Sequence, residues 1–155
     1  MIEIDKFDRS ILLQLQMNSN LSMDDLAEKV HLSRNAVWRR IKILTDNGVI
    51  KRNVALVDPE KVGCELTALV FVRTSHHEKE WLDKFRKAVS LIAHVVEAYR
   101  MSGDLDYMLK VRVSDMKAYD RFYQRLIGFV PLSDVSASFV MEEIKDSHAV
   151  PLDPL

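Results

Sequence analysis

Ser33-Arg34-Asn35-Ala36-Val37-Trp38-Arg39-Arg40-Ile41-Lys42-Ile43-Leu44-Thr45-Asp46-Asn47-Gly48 reads as one helix with both ends marked. Ser33 is placed to cap the start, because its hydroxyl accepts from a free backbone N–H of the first turn. Gly48 is placed to close it, because glycine takes the left-handed conformation without a Cβ clash. Val37, Ile41 and Leu44 stand at i, i+4 and i+7 and make one apolar stripe. The opposite face carries Arg34, Asn35, Trp38, Arg39 and Lys42, with no carboxylate before Asp46. A solvated face usually mixes both signs; a face that meets phosphates and base edges need not.

The rest of the chain sharpens that contrast. Its net charge is −1, which as an average argues against a nucleic-acid partner. The distribution argues for one. Residues 31–53 hold six cations against the single acid Asp46, while residues 1–30 hold three cations against six acids. Residues 54–155 hold thirteen cations against sixteen acids. Positive charge gathered on one short segment of an acidic chain is the electrostatic footprint of a DNA contact. Hydrophobic residues make up 48% of the 155, enough for a real core in one domain or two small ones. The one cysteine, Cys64, excludes an intramolecular disulfide framework and fits a reducing cytoplasm. The charged start Met1-Ile2-Glu3-Ile4-Asp5 is no signal peptide, and no apolar run is long enough to span a membrane.

Two helices are expected ahead of the quoted stretch. Residues 5–17 open at Phe7 or Asp8 and bury Ile11, Leu12 and Leu15. Residues 22–30 start at Ser22, with Asp25 completing a capping box, and turn Leu26, Ala27 and Val30 inward. His31-Leu32 makes a tight turn into the basic helix, and the three together describe a helix-turn-helix. Val49 to Asp58 is β-rich with Lys51, Arg52 and Asn53 at its turn, which predicts a small two-stranded wing with a basic tip. Asp58-Pro59-Glu60-Lys61 then breaks the pattern, so a winged helix-turn-helix domain is expected over 1–60 and a second domain over 64–155.

In the second domain the expected order is a strand at 65–74, a helix at 78–90, strands at 93–102 and 106–113, a helix at 115–128 and a strand at 135–145. Leu66, Ala68, Val70 and Val72 share one strand face; Trp81, Leu82, Phe85 and Val89, then Met116, Tyr119, Tyr123, Leu126 and Ile127, are the inward helix positions. This is β-α-β-β-α-β, the ferredoxin-like, ACT-like α/β sandwich, and the chain as a whole is α+β. Two helices cover one face of such a sheet. The other face calls for a second copy, so a homodimer is expected.

The chain resembles the Lrp/AsnC family of amino-acid-responsive transcription regulators over nearly its full length. In the first half the likeness rests on Ile4-Asp5, Asp8, Ile11-Leu12, Leu15-Gln16, Leu26-Ala27, Leu32-Ser33, Val37, Arg40, Leu44 and Gly48-Val49-Ile50. In the second half it rests on Gly103-Asp104-x-Asp106-Tyr107, Ser138-Phe139-Val140-Met141, Lys145 and Pro151-Leu152. Val57-Asp58-Pro59-Glu60-Lys61, His76-His77 and Trp81 are most similar to its cysteine-responsive branch. Arg34 and Trp38 depart from the pattern, since many members carry a small residue or proline after the Ser33 position.

The residues expected to touch DNA are Ser33, Arg34, Asn35, Trp38 and Arg39, where such a helix reads base edges, with Lys42, Lys51 and Arg52 as phosphate anchors. Arg40 is left open between a phosphate contact and a pairing with Asp5 or Asp8. The turn at 103–107 could offer two carboxylates and a phenol to an amino acid's ammonium group, but by its residues alone it reads first as an ordinary hairpin turn. The resemblance favours the ligand: members bind small amino acids where this hairpin meets a neighbouring subunit. The matching positions are Arg100, Met101, Ser102, Gly103, Asp104, Asp106 and Tyr107, with Ser136 and Ser138 as hydroxyl partners. No catalytic or metal set is expected, nor a cofactor. His76-His77 reads as a loop before a helix and Cys64 as a small apolar residue. The expected partners are double-stranded DNA, a small amino acid of cysteine, leucine or methionine type, and further copies of the chain up to tetramer or octamer. The alternative is an architectural DNA-binding protein without an effector.

Overall fold

The computed structural model describes residues 3–152; the outermost ends of the two expected domains lie outside them. Two compact units emerge. Residues up to 56, together with those from 145 onward, form the first, and residues 57–144 form the second. The tail thus groups with the first unit, although it was expected with the second. Its physical tie is Gln16, whose side-chain amide accepts from the Val150 N–H at 2.6 Å and donates to the Val150 carbonyl at 3.2 Å.

The first unit is built from α1 (Lys6–Met17), α2 (Met23–Val30) and α3 (Arg34–Asp46). The cap of α1 is Asp5 rather than a residue further in. Its carboxylate accepts from the Phe7 and Asp8 N–H groups at 2.8 Å, while Asp8 reaches back to the Asp5 N–H at 3.2 Å. Those bonds, with Asp8's N–H the largest contributor and Arg40 adding to it, hold the Asp5 carboxyl below its ordinary pKa. Ser22 caps α2 through the Asp25 N–H, and its hydroxyl donates to the Asp25 carboxylate at 2.7 Å. Ile11, Leu26, Ala27, Val30 and Val37 form the core, flanked by Leu15, Leu32 and Ile41.

Both turns that frame α3 end in the left-handed region. After α3, Gly48 (φ 71°) lets its own N–H reach the Thr45 carbonyl and the Val49 N–H reach the Leu44 carbonyl, both at 2.9 Å. Before α3 the same pair of bonds forms around His31, at φ 54°. Among the described residues His31 is the only one other than glycine with positive φ. An L side chain there costs about 1–2 kcal/mol, against about 0.5–1 kcal/mol of extra chain entropy lost when glycine is fixed instead. His31→Gly is therefore expected to raise the thermal midpoint by a few degrees, and a fall would show that the imidazole itself holds the turn.

The two-stranded wing is not formed. Residues 51–57 carry no strand, and Val54, Leu56 and Val57 are exposed. Local β propensity without a third strand or a packed face does not hold an isolated pair in water.

The second unit carries β1 (Leu66–Arg73), α4 (Lys79–Leu91), β2 (Val95–Arg100), β3 (Tyr107–Val113), α5 (Met116–Phe129) and β4 (Asp134–Phe139), after a 3-10 turn at Glu60–Val62. The sheet is antiparallel in the order β2-β3-β1-β4. β4 ends at Phe139, short of the expected 145. Beyond Val140, whose N–H still donates to the Thr67 carbonyl, β1 offers no further partner. Ala68, Val70, Val72, Leu109, Val111 and Val113 meet Trp81, Phe85, Phe122 and Leu126 in one core. The buried stripe of α5 is Ala118, Phe122 and Leu126; Met116 and Ile127 lie exposed, so the helix is rotated from its expected face. Both helices lie on this side. The other side presents Thr67, Leu69, Phe71, Met108, Lys110 and Arg112, the residues alternating with the core positions.

Candidate nucleic-acid interface and effector turn

On α3 the buried stripe is Val37 and Leu44, with Ile41 half-buried. Ser33 is occupied as the cap, accepting from the Ala36 N–H at 3.3 Å. Arg34 and Lys42 are both held by acids. The Arg34 guanidinium meets Asp24 at 3.2 Å across the turn, and Lys42 meets Asp46 at 2.9 Å one helical turn on. Asn35, Trp38 and Arg39 are exposed, and their side chains have no hydrogen-bond or ion-pair partner among the described residues. The same is true of Lys51 and Arg52 beyond the helix. Exposed ion pairs of this kind contribute little and open easily, so Arg34 and Lys42 are screened cations rather than lost ones.

Arg40 stands apart from that face. Its Nη1 donates to Asp5 and to Asp8, both at 2.8 Å, and its guanidinium lies 5.4 Å from the centre of the Phe7 ring. The bond to Asp8, followed by that to Asp5, raises its pKa further. Of the two roles open to it, the structure gives Arg40 the pairing, and with both carboxylates rather than one. It ties α1 to α3 from inside the first unit.

The candidate effector turn lies between β2 and β3. The Met101 N–H donates to the Asp106 carbonyl at 2.8 Å, closing the hairpin, and Gly103 takes φ 110°, where other residues are strained. Asp104 and Asp106 differ in what they do. The Asp106 carboxylate accepts from the Thr74 N–H at 2.8 Å, at the end of β1. The Asp104 carboxylate is exposed and has no partner among the described residues. Its main-chain carbonyl instead accepts from Arg73 Nε at 3.0 Å.

Arg73 and Thr74 are therefore part of this turn, and the sequence reading did not name them. They lie about thirty residues away, and their only local signal is a cation and a hydroxyl at a strand end.

The named residues divide between the two faces. Tyr107 pairs with Val72 in register, and its ring lies 4.5 Å from Phe85 and 5.8 Å from Trp81, centre to centre. It packs on the helix side, beneath the turn. Arg100 lies opposite Tyr107 at the end of β2. Ser136 and Ser138 face Phe71 and Leu69 on the open side of β4. With neighbouring strands about 4.8 Å apart, they sit roughly 14 Å across the sheet from β2. One copy of the chain thus gathers Arg73, Thr74, Asp104 and Asp106; Ser136 lies on the strand beside β1, two positions along from Arg73 in register, and Ser138 two further.

The open face is charged as well as apolar. Lys110 lies 3.7 Å from Glu97 and 3.6 Å from Glu143, and Arg112 lies 3.8 Å from Glu143. They line a cleft of about 390 Å³ with Thr67, Leu69 and Met108. Among the described residues no helix is long and apolar enough to cross a membrane.

Comparison with known proteins bears on both units. Residues 4–51 match a winged helix-turn-helix DNA-binding model, and residues 67–150 match the Lrp/AsnC ligand binding domain. The DNA-binding transcriptional activator DecR of Escherichia coli K12 is 46% identical over 151 residues, covering 97% of this chain and 99% of that protein. A crystal structure of an AsnC family transcriptional regulator from Agrobacterium tumefaciens superposes with a TM-score of 0.92 at 50% identity, over 96% of this chain and 97% of that one. A transcriptional regulator of Neisseria meningitidis, solved in complex with L-methionine, superposes with a TM-score of 0.93 at 33% identity, over 97% and 98%.

Proposed function

The chain belongs to the Lrp/AsnC family of transcription regulators, with a DNA-binding helix-turn-helix and an amino-acid-binding domain, and from that premise we propose how its residues divide the work. The DNA-binding domain over 1–60 lays α3 in the major groove. Asn35, Trp38 and Arg39 read base edges, Ser33 and Arg34 stand at the helix start, and Lys42, Lys51 and Arg52 anchor phosphates. The observation that carries this is the exposed trio Asn35, Trp38 and Arg39, unpartnered among the described residues on the one basic segment of an acidic chain.

The effector domain, built on the second unit, receives a small amino acid at the β2–β3 turn. Asp104 takes the ammonium group, and the guanidinium nitrogens of Arg73 that Asp104's carbonyl does not use take the carboxylate. Asp106 holds the turn to β1 through Thr74. Arg100, Met101, Ser102 and Gly103 line the approach, and Tyr107 supports it from below. Ser136 and Ser138 supply hydroxyls to such a site where copies of the chain meet. The open sheet face supports that assembly, since Leu69, Phe71 and Met108 beside the Lys110–Glu143 pair suit a self-complementary dimer contact. Dimers then build tetramers or octamers. The protein works in the cytoplasm as a regulator rather than a catalyst and needs no cofactor.

Footprinting with the full chain tests the DNA half of this reading. Discrete protected half-sites one or more helical turns apart are expected; uniform coverage would support the architectural alternative. In the same titrations Lys51→Gln is expected to lower the slope of log K against log salt by about 0.9, the value of one phosphate contact. An unchanged slope would take Lys51 out of the interface.

A further inference from the structure

The indole of Trp38 is 56% exposed on the polar face of α3, while Val37 and Leu44 carry the burial that holds the helix in the fold. Along its own side of the helix Trp38 lies one turn from Arg34 and one turn from Lys42, and each of those cations already has a carboxylate against it. The uncharged indole is thus flanked by compensated charge, and it gives the phosphate backbone no cation of its own. Three positions before it, and so beside it on the helix surface, stands the unpartnered carboxamide of Asn35.

Once α3 is in a groove, each of these groups has a restricted choice. Stacked base pairs in a duplex offer only their edges, so the indole cannot stack on a base. The one apolar feature on any major-groove edge is the thymine 5-methyl. A carboxamide pairs in two directions with adenine N6 and N7 on the same edge. We propose that Trp38 and Asn35 together read an A·T element in the major groove, with the indole on a thymine 5-methyl and the carboxamide on an adjacent or paired adenine. This rests on the placement of α3 in the major groove and adds the base chemistry that it recognises. Trp38 is then a specificity-determining residue, and its exposure is the condition for that role.

The test uses the full-length chain and the duplex it selects from a random-sequence library. Each thymine is replaced in turn by deoxyuridine, which removes only the 5-methyl. One position per half-site is expected to lose about fourfold in affinity, the value of one buried methyl group. In Trp38→Ala that same replacement is expected to cost nothing, and Trp38→Leu is expected to keep part of the penalty. Replacing the neighbouring adenine by 7-deazaadenine should weaken binding by the wild-type chain and leave Asn35→Ala unaffected. Because the indole is exposed, Trp38→Ala is expected to melt as the wild type does, which separates recognition from folding. Indifference of the wild-type chain to every deoxyuridine overturns the proposal. So does a penalty that persists in Trp38→Ala, which would assign the methyl to another residue. In both cases the placement of α3 stands, since a discrete duplex was selected. A chain that selects no duplex overturns that placement and this proposal together.

Discussion

Arg40→Ala is expected to loosen the DNA-binding unit by about 2 kcal/mol and to abolish site-specific DNA binding near its melting range. The size of the effect comes from what is left behind. Arg40 satisfies two carboxylates at 2.8 Å each, and Asp8 is nearly buried. Removing one partner of a buried pair leaves a charge out of water without compensation, which costs about 3–5 kcal/mol in full burial. Arg40 and Asp5 remain partly exposed, so the lower figure applies. For a unit of this size about 2 kcal/mol corresponds to a midpoint lowered by roughly 10 °C. Amide hydrogen exchange resolves the two units, and faster exchange is expected across α1 and α3 with β1–β4 unchanged.

The sign of the pH dependence follows from Asp5. Its carboxyl titrates below the ordinary value because the Asp8 N–H and Arg40 favour the ionised form. A lowered folded-state pKa gives stability that is present above the unfolded pKa and lost as pH falls through the folded one. The gap between wild type and Arg40→Ala should therefore be full at neutral pH and close in acid, below the ordinary carboxylate range. Equal exchange at neutral pH would mean that the cluster behaves as a solvated surface pair. Unchanged folding with a shallower salt slope would return Arg40 to the phosphate backbone.

How much of this was legible in the sequence depended on how local the cause was. The ends of α2 and α3 were readable because Ser22, Ser33 and Gly48 mark them with their own backbone chemistry, and Val37 and Leu44 set the stripe of α3. The element order of the second unit was readable from its changes of periodicity, and alternation along β1 marked the face it buries. The wing failed for the complementary reason. Val54, Leu56 and Val57 have strand-forming side chains, but a strand needs a partner that local sequence cannot supply. Charge told only part of the story on α3. The pairing of Lys42 with Asp46 is an i, i+4 contact visible in the sequence, whereas Asp24 reaches Arg34 across a turn whose shape depends on His31. At the candidate effector turn, Gly103, Asp104 and Asp106 stood out through the family resemblance, since by themselves they read as an ordinary hairpin turn. Arg73 and Thr74 arrive through the pairing of β1 with β3, a relation between residues far apart in the chain.

Asp104→Ala is expected to remove amino-acid binding, with a loss of about thirtyfold or more in affinity for whichever of cysteine, leucine or methionine binds the wild-type chain. A charge-assisted hydrogen bond to an ammonium group contributes about 2 kcal/mol, which corresponds to that factor. The two carboxylates of the turn should separate cleanly. Asp106 is engaged by the Thr74 N–H, so Asp106→Ala loosens the hairpin and should raise hydrogen exchange at Thr74 as well as weaken the ligand. Asp104 carries no such bond, so Asp104→Ala should leave exchange unchanged and silence the calorimetric signal alone. Asp104→Asn distinguishes charge from turn chemistry: asparagine keeps the turn propensity and loses the charge. It should therefore behave as alanine does if an ammonium group is the ligand, and as the wild type if Asp104 merely shapes the loop. The consequence for DNA follows by linkage. Whatever factor the saturating amino acid changes DNA affinity by, DNA must change amino-acid affinity by the same factor. An effector with no differential affinity for the two assemblies shifts neither. In Asp104→Ala the effector's influence on DNA binding should vanish at concentrations that saturate the wild type, while DNA affinity without effector stays as it was. Loss of the ligand signal together with loss of effector-free DNA binding would move Asp104 from recognition to folding.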